Sequence, residues 1–139
     1  VLQSSKITFE DVKNMDQFTK MSYGGAQIMM LPAAQGWFSI DSIDLQGVNG
    51  AELAVGSMGP RKGAYIIELR LNAPNGKKLA ETTLPAAAGE ENKPQRTLLK
   101  FAFDKIADTN KQNLYIITRP ADNNERSTVG ITLLELFSK

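Results

Sequence analysis

The sequence predicts an all-β fold, an antiparallel β-sandwich of the jelly-roll type. Eight or nine short segments alternate apolar and polar residues, which is typical of half-buried strands. Turn residues separate these segments, and no alternation of strands with helices occurs. One segment, 11–20, has the spacing of a helix, because Val12, Met15 and Phe18 recur at i, i+3 and i+6. We expect one or two helical turns there.

The stretch 36–55 contains two of the strands. Phe38 and Ile40 alternate with polar residues, as in a strand with one apolar face. Asp41 and Ser42 then shift this phase, and the apolar residues that follow return to the same side only if the strand bulges there. Turn residues lead into the second strand. A pair of this kind cannot bury its apolar face alone, so we expect a second sheet to cover it.

The clearest hairpin joins the strands 64–72 and 78–84. Alternate residues of the first strand are apolar, and the turn 73–76, Ala-Pro-Asn-Gly, has Pro and Gly where a tight turn favours them. The remaining strands are expected at 6–10, 26–31, 97–103, 114–119 and 129–137. The expected members of the shared core are Phe38, Ile40, Leu53, Leu69, Phe101, Ile116 and Leu133.

Composition excludes several kinds of site. The 139 residues make one domain, 1–139, of ordinary size, and they include no Cys and no His. Disulfides, thiol nucleophiles, imidazole catalysis and zinc sites built on Cys or His are therefore excluded. A net charge of +1 without a dense basic run argues against nucleic acid as a partner. No apolar run is long enough to span a membrane.

Enzyme chemistry has little support in the sequence. Two pairs of carboxylates, Asp41 with Asp44 and Glu90 with Glu91, have the residue types that glycoside hydrolysis uses. The sequence around Asp41 and Asp44 gives no sign of a pocket, and Glu90 and Glu91 suit solvated charges of a loop. The glycine-rich segment 56–63 lacks the Gly-Lys-Ser/Thr ending of a phosphate loop. We therefore expect a protein that is not an enzyme.

Five segments in this order resemble the family 6 carbohydrate-binding modules, particularly the divergent copies found as extra domains in large secreted bacterial proteins. The segments are ITFEDV (7–12), GWFSIDSIDLQGV (36–48), IELRLNAPNGKKLAETTLP (67–85), NLYIITRP (113–120) and VGITLLELF (129–137). The resemblance implies a non-catalytic jelly roll that binds a polysaccharide or oligosaccharide beside other domains of a parent chain. It also implies an extracellular or periplasmic location. Because the sequence begins with Val1 rather than Met, we expect an excised domain or a processed chain.

The resemblance implies a sugar site in the loops at one end of the sandwich. The residues that match the family's positions, or lie beside them, are Tyr23, Trp37, Asn123, Asn124 and Arg126. We expect them to converge, with at least one aromatic face exposed for stacking on a sugar. Family members also place a Trp in the loop that corresponds to 85–94, and this chain has no aromatic residue there.

These residues also have purely structural interpretations. Trp37 suits packing against a sheet edge, and Tyr23 suits a lid on the core as well as a binding platform. Asn123 and Asn124 suit a turn. The alternative function is thus a structural or protein-interaction sandwich that has lost sugar binding, and the missing aromatic residue in 85–94 favours it.

The resemblance further implies a structural calcium ion. The family uses an acidic residue that matches Glu10 and an Asp in the last strand, where this chain has Thr132. Calcium takes six to eight oxygen ligands, and a hydroxyl is a poorer ligand than a carboxylate. We therefore expect calcium binding to be weak or absent. Glu10 with Asp11 also suits the start of a helical turn.

Overall fold

Two antiparallel sheets pack face to face in the computed structural model, which describes residues 3–121 and 128–139. The strands are β1 (Gln3–Ile7), β2 (Met15–Asp16), β3 (Thr19–Tyr23), β4 (Ala26–Met30), β5 (Gly36–Ile43), β6 (Gly50–Met58), β7 (Tyr65–Leu71), β8 (Lys77–Leu84), β9 (Pro94–Ala102), β10 (Gln112–Pro120) and β11 (Val129–Ser138). The six-stranded sheet has the order β3-β4-β11-β6-β9, with β1 also paired to β11, and the five-stranded sheet has the order β2-β5-β10-β7-β8. The predicted β-sandwich is confirmed.

The core lies between the two sheets and includes a cluster of three phenylalanine rings. The Phe38 ring is fully buried and meets the rings of Phe9 and Phe18 edge to face, with centroids 5.3 and 5.0 Å away. Six of the seven expected core residues are buried, and Leu133 is the exception. The register of β11 against β6 shifts between Ile131 and Leu133, so that the next residue, Leu134, takes the core position.

The bulge expected in β5 is confirmed. Ile40 pairs with Leu114 and Ile43 pairs with Gln112, so Asp41 and Ser42 together oppose a single residue of β10. Ser42 adopts a left-handed conformation with φ of 54°. The extra residue restores the apolar phase of the strand.

The pairing expected for the two strands in 36–55 is wrong, because β5 and β6 belong to different sheets. Their connection crosses from one sheet to the other and buries Leu45 and Val48 on the way. Its backbone bonds to Ile106, through Gly47 N–H at 2.8 Å and the Val48 carbonyl at 3.0 Å. The two strands therefore contribute to the core from different sheets.

The helix expected at 11–20 is also wrong, since the described residues form no helix, and so none that could cross a membrane. The backbone turns at Val12, whose N–H donates to the Phe9 carbonyl at 3.2 Å, and then becomes extended. Gln17 has φ of 65°, which a right-handed helix cannot accommodate. Val12 and Phe18 still reach the core, because tertiary packing sets their position rather than a helical period.

The hairpin of β7 and β8 is confirmed. Its turn closes with the Gly76 N–H donating to the Ala73 carbonyl at 3.0 Å. The alternate residues Tyr65, Ile67, Leu69 and Leu71 are buried, as their spacing predicts.

Candidate functional site

Several loops meet at one end of the sandwich, which we call the loop end: 31–35, 59–64 and 85–93. Backbone hydrogen bonds join the last two of these loops to each other. Arg61 and Ala87 exchange two bonds of 2.9 Å, and Gly59 N–H donates to the Lys93 carbonyl at 2.8 Å. The loops 59–64 and 85–93 therefore form one connected surface.

A buried arginine helps to fix that surface. Arg61 is only 5% exposed, and its guanidinium donates to the Pro85 carbonyl at 3.0 Å and to the Thr97 hydroxyl at 3.4 Å. Burial lowers the pKa of the Arg61 guanidinium below its ordinary value. The side chain thus ties the loop after β8 to the loop after β6.

Beside the loop end, the outer face of the six-stranded sheet contains a groove of about 550 Å³, which we call the Tyr23 groove. One wall consists of side chains from β3 and β4, namely Met21, Tyr23, Ile28 and Met30. The opposite wall consists of Met58, Pro94 and Gln95, and Thr128 and Thr132 also line the groove. The cavity is therefore mostly apolar with a few hydroxyl and amide groups.

Two glycines form part of the floor of the groove, and because they have no side chains they leave its space open. Gly56 of β6 and Gly130 of β11 are paired across the sheet. A Cβ atom on Gly130 would lie 2.3 Å from Cγ2 of Ile28 and 3.1 Å from the sulfur of Met30. Only glycine at position 130 lets the β3–β4 hairpin approach this closely.

Tyr23 is the most exposed large side chain of the groove. It is 75% exposed and ends β3, next to a turn in which Gly24 and Gly25 both adopt positive φ angles. Met58, on the opposite wall, is 51% exposed. The expectation of at least one exposed aromatic face is therefore confirmed for Tyr23.

Three of the expected site residues, Asn123, Asn124 and Arg126, lie outside the described residues. The described residues that flank them, Ala121 and Thr128, lie at the loop end. Ala121 N–H donates to the Ala64 carbonyl at 2.9 Å, and Thr128 lines the Tyr23 groove. The sugar-binding role of the three residues stays a prediction.

Trp37 is not among the residues that line the Tyr23 groove. It follows the buried Gly36 on β5, and its neighbour Phe38 points into the core, so alternation directs Trp37 to the outer face of the five-stranded sheet. Its ring is half-buried against the Tyr115 ring, with centroids 5.2 Å apart. The expected convergence of Tyr23 and Trp37 is wrong, because they lie on the outer faces of different sheets. Their individual roles in sugar binding stay predictions.

A polar cluster adjoins the Trp37 ring. Asn14 donates from its amide nitrogen to the Ser39 hydroxyl and to the Tyr115 hydroxyl, both at 3.0 Å, and Ser39 donates to the Asp41 carboxylate at 2.6 Å. These bonds hold Asn14 and the ring of Tyr115 in place. The cluster therefore orders the segment before β2 against β5 and β10.

An ion-pair network that the sequence did not predict covers the same outer face. The Glu68 carboxylate lies 3.2 Å from Nε of Arg70, 3.4 Å from Nη1 of Arg119 and 3.9 Å from Nζ of Lys78. Burial is the strongest influence on Glu68 and opposes its ionisation, but hydrogen bonds with Arg70, Glu81 and Arg119 outweigh burial and lower the Glu68 pKa. Alternation alone places Glu68 and Arg70 on one face. The contact of Glu68 with Arg119 on the neighbouring strand depends on the register of β7 with β10, which alternation does not determine.

The side chains of both residues considered for calcium binding have other hydrogen-bond partners. The Glu10 carboxylate accepts a hydrogen bond from the Thr8 hydroxyl, which lowers the Glu10 pKa. Thr132 donates its hydroxyl to the Ala54 carbonyl at 3.2 Å and lines the Tyr23 groove. Among residues 3–121 and 128–139, no group of three or more His, Cys, Asp or Glu side chains could hold a metal ion.

The backbone near Glu10 does not fit a calcium ion either. The Lys20 ammonium lies within hydrogen-bond distance of three carbonyl oxygens in the turn that contains Glu10. A divalent cation bound to those oxygens would lie beside a fixed positive charge, which is strongly unfavourable.

The carboxylate pairs considered for catalysis make local contacts. Asp44 accepts a hydrogen bond from the Gln46 N–H at 3.0 Å, and Asp41 accepts from Ser39. Glu90 forms an exposed ion pair with Lys93 at 2.8 Å. Such contacts are typical of turn and surface residues.

No family model matches the chain, and no curated protein matches its sequence. Solved structures do match. A family 6 module, CsCBM6-3 from Clostridium stercorarium in complex with cellobiose, aligns with a TM-score of 0.68 and 16% identity over 97% of this chain and 93% of its own. A β-1,3-glucan-binding family 6 module from Bacillus halodurans aligns with a TM-score of 0.67 and 14% identity, and the alignment covers 94% of this chain and 92% of that module.

A third match lies inside an enzyme. The family 43 arabinoxylan arabinofuranohydrolase from Bacillus subtilis, in complex with cellotetraose, aligns with a TM-score of 0.66 and 12% identity. The match covers 97% of this chain but only 27% of that enzyme. At identities this low the matches show the fold alone. They confirm the resemblance to that extent: the chain has the jelly-roll fold of the family 6 carbohydrate-binding modules.

Proposed function

We propose that this chain is a non-catalytic carbohydrate-binding module and an accessory domain of a larger secreted protein, extracellular or periplasmic. The observation that supports it most directly is the exposed ring of Tyr23 on the wall of a groove beside the loop end. Exposed aromatic rings of this kind are a common platform for the apolar faces of ligands. The shared fold is consistent with this function, since modules of that fold were solved with sugars bound.

Binding would rest on stacking and on a few hydrogen bonds. The C–H face of a sugar ring would lie on the Tyr23 ring, and Met58 on the opposite wall would contact its other apolar edge. The Thr128 hydroxyl and the amide oxygen of Gln95 belong to residues that line the same groove, and both groups suit sugar hydroxyls, while the Gln95 amide nitrogen already donates to the Gly59 and Ala88 carbonyls. One aromatic platform contributes on the order of 1 kcal/mol beyond buried area, so we expect Kd values in the millimolar range, where 1 mM corresponds to about 4 kcal/mol.

The proposal includes neighbouring domains in a parent chain. The arabinofuranohydrolase and an exo-β-1,3-galactanase both contain this sandwich as less than a third of their length. A weak sugar site is useful in that setting, because linked binding modules act at a high effective concentration.

The test is affinity electrophoresis in gels that contain xylan, β-1,3-glucan or mixed-linkage glucan. We expect retardation of the wild type by at least one polysaccharide and its loss in Tyr23→Ala. Tyr23→Phe, which keeps the ring, should bind. The matched control is Leu98→Ala, which removes another exposed apolar side chain, 49% exposed, that does not line the groove.

Two different results would contradict the expected role of Tyr23. Retardation that survives Tyr23→Ala but disappears in Trp37→Ala would assign the site to the other sheet. A folded protein that no polysaccharide retards would contradict the sugar-binding proposal.

A specific observation favours the second candidate function, a protein-interaction sandwich. The groove walls contain Met21, Met30 and Met58 rather than a second aromatic ring. Methionine side chains adapt to varied apolar partners and are common at peptide-binding surfaces. The result that no polysaccharide binds, with the groove intact, would support this function.

A further inference from the structure

Lys20 occupies an unusual position for a lysine in an edge strand. It pairs with the buried Met29 of β4, which in turn pairs with the buried Ile131 of β11. Residues directly opposite each other share a face, so the Lys20 side chain leaves β3 on the core side of the sheet. Its amine must then find polar partners at the margin of the core.

Those partners are three backbone carbonyls of one turn. Nζ of Lys20 lies 2.7 Å from the carbonyl oxygen of Val12, 2.9 Å from that of Glu10 and 3.3 Å from that of Phe9. A lysine ammonium has three donors and no acceptor, so three carbonyl oxygens satisfy it completely. The side chains of Phe9 and Val12 are both buried, so the turn is itself fixed to the core.

A cluster of carbonyl oxygens around one point is also what a hard metal cation selects. Here the point is taken by a covalently attached cation, and the carboxylate of Glu10 accepts a hydrogen bond from the Thr8 hydroxyl instead. We infer that the Lys20 ammonium replaces, at this turn, the structural calcium ion that the family resemblance implies. The chain supplies its own cation there, and the fold does not depend on a bound metal ion.

The replacement has a consequence for the groove. β3 is an edge strand, and its outward residues Met21 and Tyr23 form one wall of the Tyr23 groove. The ammonium joins β3 to the turn 9–12, which is fixed in the core. Lys20 therefore anchors the strand that presents Tyr23, and it does so without a metal ion.

The experiment measures thermal unfolding of the whole chain in EDTA and in 5 mM calcium chloride. A native-state ligand at a concentration far above its Kd raises the melting temperature, so a functional calcium site would be visible. We expect the wild-type melting temperature to agree within about 1 °C in the two solutions. Metal analysis of the protein purified without chelator should find less than about 0.1 calcium per chain, the level expected when no site is filled.

The second part of the experiment removes the ammonium. Lys20→Met keeps the apolar stem and leaves the carbonyls without their donor, and we expect the melting temperature to fall by about 4 °C or more. The matched control is Lys13→Met, an exposed lysine in the adjoining loop, which should change it by about 1 °C or less. Lys20→Arg retains the charge with a different geometry and should fall between these values.

Two results would overturn the inference. One is a rise of several degrees in the wild type on addition of calcium, which would show a metal site that Lys20 does not block. The other is a Lys20→Met variant as stable as Lys13→Met. A rise in the wild-type melting temperature with calcium would still overturn the inference if Lys20→Met does not fold.

Discussion

Glu68 offers the sharpest test of the energetics on the outer face of the five-stranded sheet. Its side chain is 10% exposed and contacts Arg70 and Arg119, whose side chains are 24% and 35% exposed. The substitution Glu68→Gln keeps the shape and removes the charge. Hydrogen bonds between charged groups contribute about 1.5 to 3 kcal/mol, but water can still solvate the two arginines. We therefore expect a loss of about 1 to 2 kcal/mol in the free energy of unfolding at pH 7.

The assay is urea denaturation of wild type and variant at several pH values. Because the folded-state pKa of Glu68 is lowered, its contribution is fully present above the ordinary glutamate pKa and is lost as the pH falls through the lowered value. The difference between wild type and Glu68→Gln should thus be constant from about pH 6 to 8 and shrink below about pH 4.5. The control is Glu90→Gln, which breaks an exposed ion pair with Lys93 and should cost less than about 0.5 kcal/mol. Equal losses in the two variants, or a difference that grows in acid, would refute the reasoning.

Two further predictions concern the core and the groove. Phe38→Ala should reduce the free energy of unfolding by about 3 to 5 kcal/mol in urea denaturation, because it removes a fully buried ring. Leu133→Ala should cost less than half as much, since Leu133 is only half-buried, and equal losses would contradict the assigned register of β11. Gly130→Ala should displace the β3–β4 hairpin and weaken retardation in polysaccharide gels, because its Cβ would meet Ile28. Gly56→Ala, whose nearest new contact is 3.8 Å, should bind as the wild type does, and equal retardation of both variants would show that the groove floor is not part of the site.

Alternation of apolar and polar residues was enough to predict the sandwich and most of its core. The bulge at Asp41 and Ser42 was predictable because a strand with one buried face must restore its phase. The same rule applies at Thr132, where the register of β11 also shifts. Ile131, Leu133 and Leu134 are all apolar, so alternation does not reveal this shift, and the expectation that Leu133 lies in the core is wrong. Alternation is uninformative where both alternate positions are apolar.

The sequence alone did not show which strands pair with each other. Nothing in 36–55 distinguishes a hairpin from a crossover between sheets, since both need only turn residues in the connection. The same limit applies to Tyr23 and Trp37, which are close in sequence but lie on different sheets. The Lys20 contact could not be predicted either, because it depends on three carbonyl groups whose direction is set by the fold.

The most direct test of the central claim is a nuclear magnetic resonance titration of the labelled protein with an oligosaccharide of the polysaccharide that retards it. Trp37 is the single tryptophan, so its indole N–H signal reports only on the outer face of the five-stranded sheet. The amide signals of Gly56, Met58 and Gly130 report on the Tyr23 groove. We predict that the groove amides shift with the added sugar while the indole signal stays in place. A moving indole signal with unchanged groove amides would contradict the claim that sugar binds at Tyr23.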